Sequence, residues 1–211
     1  MGDIVNQPEL DSSDSLPSLW RPCHIGNLVI DRIKNGAFVK RERFGPGAPF
    51  LNVADTYRSI SADLNTVGRA SCSKSEIAEF MLQPGDLIFV RSSLKREGIG
   101  RCCIVESVSE PSIYDCHLMR VRVDQRRIIP KFLAYFASTA HAKHDLIALS
   151  KTTTMTTLNQ QGLSAFKVPL PPLDEQHHIC RILDMSQRAK EATEKVIAAT
   201  RQLKRNRSRP G

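Results

Sequence analysis

The spacing of apolar positions changes along the chain, and each change predicts a different kind of element. Leu87-Ile88-Phe89-Val90 is continuously apolar and follows the turn signal Gln83-Pro84-Gly85-Asp86, which predicts a short strand buried on both faces. Cys102-Cys103-Ile104-Val105 predicts another. Met119, Val121 and Val123 alternate with Arg120, Arg122 and Asp124, the period of a strand with one buried and one polar face. Nearer the start, Leu28, Val29 and Ile30 lead to a glycine turn at Asn35-Gly36. Phe44-Gly45-Pro46-Gly47 predicts a second turn, before a strand over residues 49–53.

Beyond Ile129 the period lengthens. Proline suits the first helical turn, so Ile129-Pro130 opens a predicted helix; Phe132, Leu133, Phe136 and Ala140 carry it towards Ala148. Residues 150–157 are rich in threonine, whose branched side chain disfavours helix, and a loop is expected there. Residues 166–170 predict a last short strand, ended by Pro171-Pro172. From Leu173 to Ser208 neither Gly nor Pro interrupts, so a single helix of about 30 residues and roughly 45 Å is expected. Asp174 and Glu175 at its start and Arg201, Lys204 and Arg205 near its end suit the helix dipole. Ile179, Ile182, Ser186, Ala189, Thr193, Val196, Thr200 and Leu203 recur in alternating three- and four-residue steps, the seam of a coiled coil. A helix this long outreaches a small domain. Its seam, with Ile179, Ile182, Ala189, Val196 and Leu203 as anchors, is expected to meet another long helix; the competing reading lays it across its own domain. The fold class is α+β, a mixed β-rich domain followed by a long C-terminal coiled-coil helix.

Composition narrows the partners. The 211 residues are 41% hydrophobic, enough for a core, and the formal charge is +8, a bias towards polyanions. Asp3, Glu9, Asp11 and Asp14 make residues 1–16 an acidic tail expected to be disordered, and residues 207–211 read as a flexible basic tail. None of the six cysteines forms a C-x-x-C pair. His177, His178 and Cys180 lack a second ligand cluster, so they read as ordinary helix residues and no metal is expected. With no secretory leader and no apolar run near 20 residues, the expectation is a reduced, cytoplasmic protein without a membrane.

Catalytic signatures are sparse. The common metal-dependent nuclease core needs a carboxylate–x–Lys, and no Asp or Glu here has Lys two positions later. There is no G-x-x-x-x-G-K phosphate loop. Pro171-Pro172 lies between leucines, unlike the Asn/Asp-Pro-Pro-aromatic site of amino-methyltransferases. No catalytic residue and no cofactor is expected.

Val168-Pro169-Leu170-Pro171-Pro172-Leu173-Asp174-Glu175-Gln176 resembles the signature that opens the conserved helix of type I restriction–modification specificity subunits. Ile179 and Ile182-Leu183-Asp184 continue it. Pro84 to Arg91 is similar to that family's Gly-Asp strand, and Ile129 to Phe136 to its following helix. The resemblance spans residues from about 16 to 205 and implies a target recognition domain over 17–172 and a conserved helix over 173–206. It implies recognition of double-stranded DNA, docking of a methyltransferase subunit and, through that, a restriction subunit, in phage defence. Most members carry two such units in tandem with paired antiparallel helices; one unit is seen here, so a homodimer through the helix is expected.

Within this frame the candidate DNA contacts are Lys40, Arg41, Arg43, Arg91, Ser92, Lys95, Arg96, Arg101, Lys151, Thr152 and Thr154, on loops predicted beside the sheet. Taken singly, each also reads as a solvated surface group. Arg120 and Arg122, on one strand face, read as structural or interfacial. Two further classes stay open: a non-catalytic dimerising or regulatory protein that binds the methyltransferase without productive reading, and an unrecognised nuclease.

Overall fold

The computed structural model describes residues 20–152 and 155–207, with side chains described to residue 201. The acidic tail, Thr153, Thr154 and residues 208–211 lie outside the described residues. In chain order the elements are β1 (Arg21–His24), β2 (Lys34–Asn35), β3 (Phe44–Leu51), β4 (Arg69–Ala70), α1 (Lys74–Phe80), β5 (Leu87–Val90) and β6 (Ser92–Ser93). β7 (Cys102–Ile104), β8 (Ile113–Tyr114), β9 (Leu118–Val121), α2 (Pro130–Ala137) and α3 (Ala140–Ala148) follow. The chain ends with β10 (Lys151–Thr152), β11 (Thr156–Thr157), α4 (Gln160–Ser164), β12 (Lys167–Leu170) and α5 (Leu173–Arg207).

The central sheet runs β2-β9-β5-β7, all antiparallel. All four residues of β5 are buried, and their alternation separates two cores. Leu87 and Phe89 face a core with Met119, Val121, Phe132, Leu133 and Leu146; Ile88 and Val90 face another with Leu51, Leu64, Leu82 and Tyr114. A strand covered on both sides has no polar face to show, which explains its unbroken apolar run. Smaller sheets, β4-β3-β8 and β10-β11-β6, flank this one, and β1 pairs with β12 beside the base of α5.

Several local expectations are corrected. Phe44-Gly45-Pro46-Gly47 is not a turn but the irregular first half of β3, with a register shift between Phe44 and Ala48. Gly45 and Gly47 have φ of +133° and +135°, and a Cβ on Gly47 would strike the Ala70 carbonyl, so the shift requires glycine. The helix expected over 129–148 is two helices: α2 ends at Ala137 with Ser138 as its C-cap, and Thr139 caps α3 by accepting from the Ala142 amide at 3.2 Å. The threonine-rich loop contains two strands, β10 and β11. On β9 the polar side is not open to water, since Arg120 is 4% exposed and pairs with Asp31 at 2.8 Å. Arg122 pairs with the buried Asp86 at 2.6 Å, so both arginines brace the fold.

The start of α5 is fastened to the domain by polar groups. Gln176 is fully buried; its Oε1 accepts from the Ile129 amide at 2.8 Å, and its Nε2 donates to the Pro171 and Arg127 carbonyls at 2.8 and 3.1 Å. Trp20 Nε1 donates to Glu175 at 3.0 Å. Asp184 accepts from Tyr135 at 2.6 Å and pairs with Lys131 at 2.9 Å. Burial disfavours the Asp184 charge, but the Tyr135 and Lys131 hydrogen bonds outweigh that and hold its carboxyl below the usual range. Past Asp184 only Gln187 is half-covered among the described side chains. Ile179 packs on the first core, whereas Ile182, Met185 and Val196 are 53%, 70% and 66% exposed. Ala189 is exposed as well, and the Leu203 side chain lies outside the description. No helix among the described residues is long and apolar enough to cross a membrane.

Candidate nucleic-acid interface

Short strands β6, β11 and β10 assemble a small ladder of hydroxyls. Ser92 faces Thr157 and Ser93 faces Thr156, while Thr156 and Thr157 in turn face Thr152 and Lys151. The Thr152 and Thr156 hydroxyls lie 3.3 Å apart. Branched threonines suit this pleated geometry once a neighbouring strand supplies the pairing, and β6 does so from a distant part of the chain. Directly after β6 the chain exposes Leu94, 85% open, then Lys95 and Arg96. A 3-10 turn, Arg96–Gly98, closes the loop, and Gly98 and Gly100 are buried beneath it. A Cβ on Gly98 would meet Ser93 and the Tyr57 hydroxyl, so the tip is open while its base is fixed.

One residue before β6, Arg91 is held by its backbone from both sides: its amide donates to His117 at 2.9 Å and its carbonyl accepts from Leu158 at 2.8 Å. It lines a cleft of ≈ 320 Å³ with Asn35, Asn159, Gln160 and Gln161. Asn159 caps α4 by accepting from the Gly162 amide at 2.7 Å. Arg91 donates through one terminal nitrogen to the Cys116 carbonyl at 3.3 Å, but among the described residues its Nε is buried without a partner, as is Asn35 Oδ1. A buried polar atom left unpaired costs about 1–3 kcal/mol. Donors and acceptors of this kind, amide and guanidinium, read base edges, and hydroxyls and amines hold phosphates.

Arg91, Ser92, Lys95, Arg96, Lys151 and Thr152 thus fall on one ladder and its bordering cleft and loop. Lys40 and Arg41 are exposed on a separate 3-10 turn before β3. Arg43 is engaged internally, forking onto Glu76 at 2.9 and 2.6 Å; these bonds, with those from Ser73, pull the Glu76 carboxyl down to about 2. Arg101 is tied to the Thr56 carbonyl at 2.9 Å and lies over the Tyr57 ring. Thr154 is outside the described residues. Leu94, Asn35, Asn159, Gln160 and Gln161 were not among the sequence candidates; the amide run after Leu158 was the available signal for three of them.

Other reactive groups show little poised chemistry. Burial pushes the Cys103 thiol up to about 12 and raises Cys102 as well, so both stay neutral. Asp115, Cys116 and His117 bring potential ligand atoms within 4.8 Å, but His117 Nδ1 is already bonded to Asp115 at 2.7 Å within the turn. His177 and His178 are exposed and Cys180 is buried against the first core.

A mixed domain with a hydroxyl-, amide- and amine-lined edge, carrying a long projecting helix, has the make-up of a binding module. The chain belongs to the family of type I restriction modification DNA specificity domains, whose family model matches residues 17–200. It is 29% identical over 170 residues to the putative type I restriction enzyme MjaX specificity subunit of Methanocaldococcus jannaschii, covering 80% of this chain and 39% of that one. It is 28% identical over 159 residues to the type I restriction enzyme EcoKI specificity subunit of Escherichia coli, covering 72% and 33%. The chain therefore spans well under half the length of these curated relatives. In fold it is similar to a chain from a structural study of complex assembly and conformational transition in the type I R-M system, with TM-score 0.65, 22% identity, and 92% and 45% of the chains covered. The S subunit of the type I restriction-modification system from M. genitalium matches with TM-score 0.61, 16% identity, and 94% and 46% covered.

Proposed function

We propose that this chain reads duplex DNA for a type I restriction–modification assembly, with residues 17–172 as the recognition unit and 173–206 as the helix that docks partners. The observation that carries the reading is the gathering of Arg91, Ser92, Lys95, Arg96, Lys151 and Thr152 beside an amide-lined cleft, in a chain of this family. Lysine and hydroxyl groups fix register on phosphates, and the cleft supplies groups suited to base edges. The chain contributes recognition and no chemistry of its own. The methyltransferase subunit docks on α5, and through it the restriction subunit is brought to a bipartite site. The bare face of α5 pairs antiparallel with a second copy, since Ile182, Met185, Val196 and Ile197 are exposed there. Six free cysteines are compatible with a reducing cytoplasm.

The test is selection from a randomised duplex pool by the full chain together with its methyltransferase subunit. A two-part motif should enrich. Retention of the pool without enrichment, in the manner of any polycation, would sink the reading.

A further inference from the structure

We propose that the cleft formed by Asn35, Arg91, Asn159, Gln160 and Gln161 is the site that reads a purine edge, with adenine its preferred base; this rests on the DNA-reading function above. The five side chains come from three distant segments: β2, the residue before β6, and the first turn of α4 with its cap. Four are amides and one is a guanidinium, and among the described residues no carboxylate lines the cleft. In the major groove adenine offers an acceptor at N7 and a donor at N6, and guanine offers two acceptors. An amide, carrying both a donor and an acceptor, answers adenine; a guanidinium, with donors only, answers guanine. With Asn159 committed to its cap, three amides with uncommitted acceptors, Asn35, Gln160 and Gln161, stand against one guanidinium and favour adenine.

Two observations point to a ligand. Arg91 Nε, a donor, and Asn35 Oδ1, an acceptor, are both buried without partners among the described residues, and both residues line the same cleft. A small side-chain shift on binding would turn that unmet pair of groups, of the complementary kinds that adenine requires, towards a base. The framework is also fixed. The Arg91 backbone is bonded on both sides, and Asn159 uses its Oδ1 to cap α4, which leaves Gln160 and Gln161 exposed at the mouth. A phosphate is the poorer fit, because a single cation serves this cleft while Lys151, Lys95 and Arg96 stand on the adjoining ladder and loop.

The test compares the full chain, with its methyltransferase subunit, to the same complex carrying Gln160→Ala and Gln161→Ala. Both glutamines are exposed, so thermal unfolding should be unchanged. The probes are the selected duplex, a scrambled duplex, and copies of the selected duplex with one 7-deazapurine at each purine in turn. The double variant should lose about 5- to 150-fold on the selected duplex and nothing on the scrambled one, with the same salt slope. One 7-deazaadenine should cost the parent protein a similar factor and add no further loss in the variant. That analogue arm needs no variant, so it stands even if the substitutions disturb folding. Equal losses on both duplexes with a shallower salt slope would assign the cleft to phosphate and overturn the proposal. So would a parent that reads its site while the double variant reads it equally well. A parent that enriches no sequence refutes the DNA-reading function itself, and the cleft assignment with it.

Discussion

Glu76 illustrates how a single residue joins segments that are remote in sequence. It completes the cap of α1 through Ser73 and receives the Arg43 fork, and these contacts lower its carboxyl to about 2 from an ordinary 4.5. A depressed carboxylate stabilises the fold fully above the unfolded value, and that contribution is lost as pH falls through the folded value. Glu76→Gln should therefore lower the melting temperature at pH 6, by about 1–4 °C because the pair is partly exposed. The two proteins should converge as pH drops from 4.5 towards 2. A difference that persists unchanged at pH 2.5 would mean that the charge is not what Glu76 contributes. Gln176 is the buried counterpart. Gln176→Leu keeps the volume but strands the Ile129 amide and the Arg127 and Pro171 carbonyls, so a loss of about 2–4 kcal/mol is expected in urea unfolding. Little of this was legible in the sequence. The chain shows that Gln176 sits in a distinctive block and that Arg43 is basic; it does not show that Arg43 finds Glu76, because that pairing depends on β4 and α1 folding against β3.

At the scale of elements, legibility followed the strength of the local pattern. The four-residue run of β5, the proline start of α2 and the uninterrupted length of α5 were all readable, because burial on two faces, a fixed φ and the absence of breakers act locally. The break between α2 and α3 was missed because Thr139 caps without interrupting the apolar spacing. The strands β10 and β11 were missed because their stability comes from Ser92 and Ser93, far away in sequence. For the same reason the cleft could not be assembled from sequence: Asn35, Arg91 and Gln160 are neighbours only after three segments converge. The spacing that suggests a seam on α5 is legible in the sequence, but its first position, Ile179, packs on the chain's own core. Val196 touches none of that core. Val196→Glu should therefore shift the chain from dimer to monomer in light scattering at tens of micromolar, while the melting of the recognition domain stays unchanged. A parent chain that is already a clean monomer under those conditions, with or without DNA, would refute the paired-helix arrangement.

For the whole molecule, the proposed pairing of helices would dictate the form of the DNA target. The 35 residues of α5 span roughly 50 Å, and among its described side chains only those near its start are docked. Two copies joined by antiparallel helices would place equivalent domains at opposite ends, related by a two-fold axis. Equivalent domains read equivalent sequences, and the two-fold inverts one relative to the other, so the selected site should be an interrupted palindrome. Coupling through the helices would make the second half-site an intramolecular encounter, strengthening binding without any new contact, by as much as 10²- to 10⁴-fold. Val196→Glu should then bind a duplex carrying one half-site as well as the parent does, and lose most of the parent's advantage on the full palindrome. Titration of both proteins against half-site and full-site duplexes at one salt concentration checks this. A selected site whose halves are unrelated would require two different recognition units in the assembly, and would exclude pairing of identical copies as the reading form.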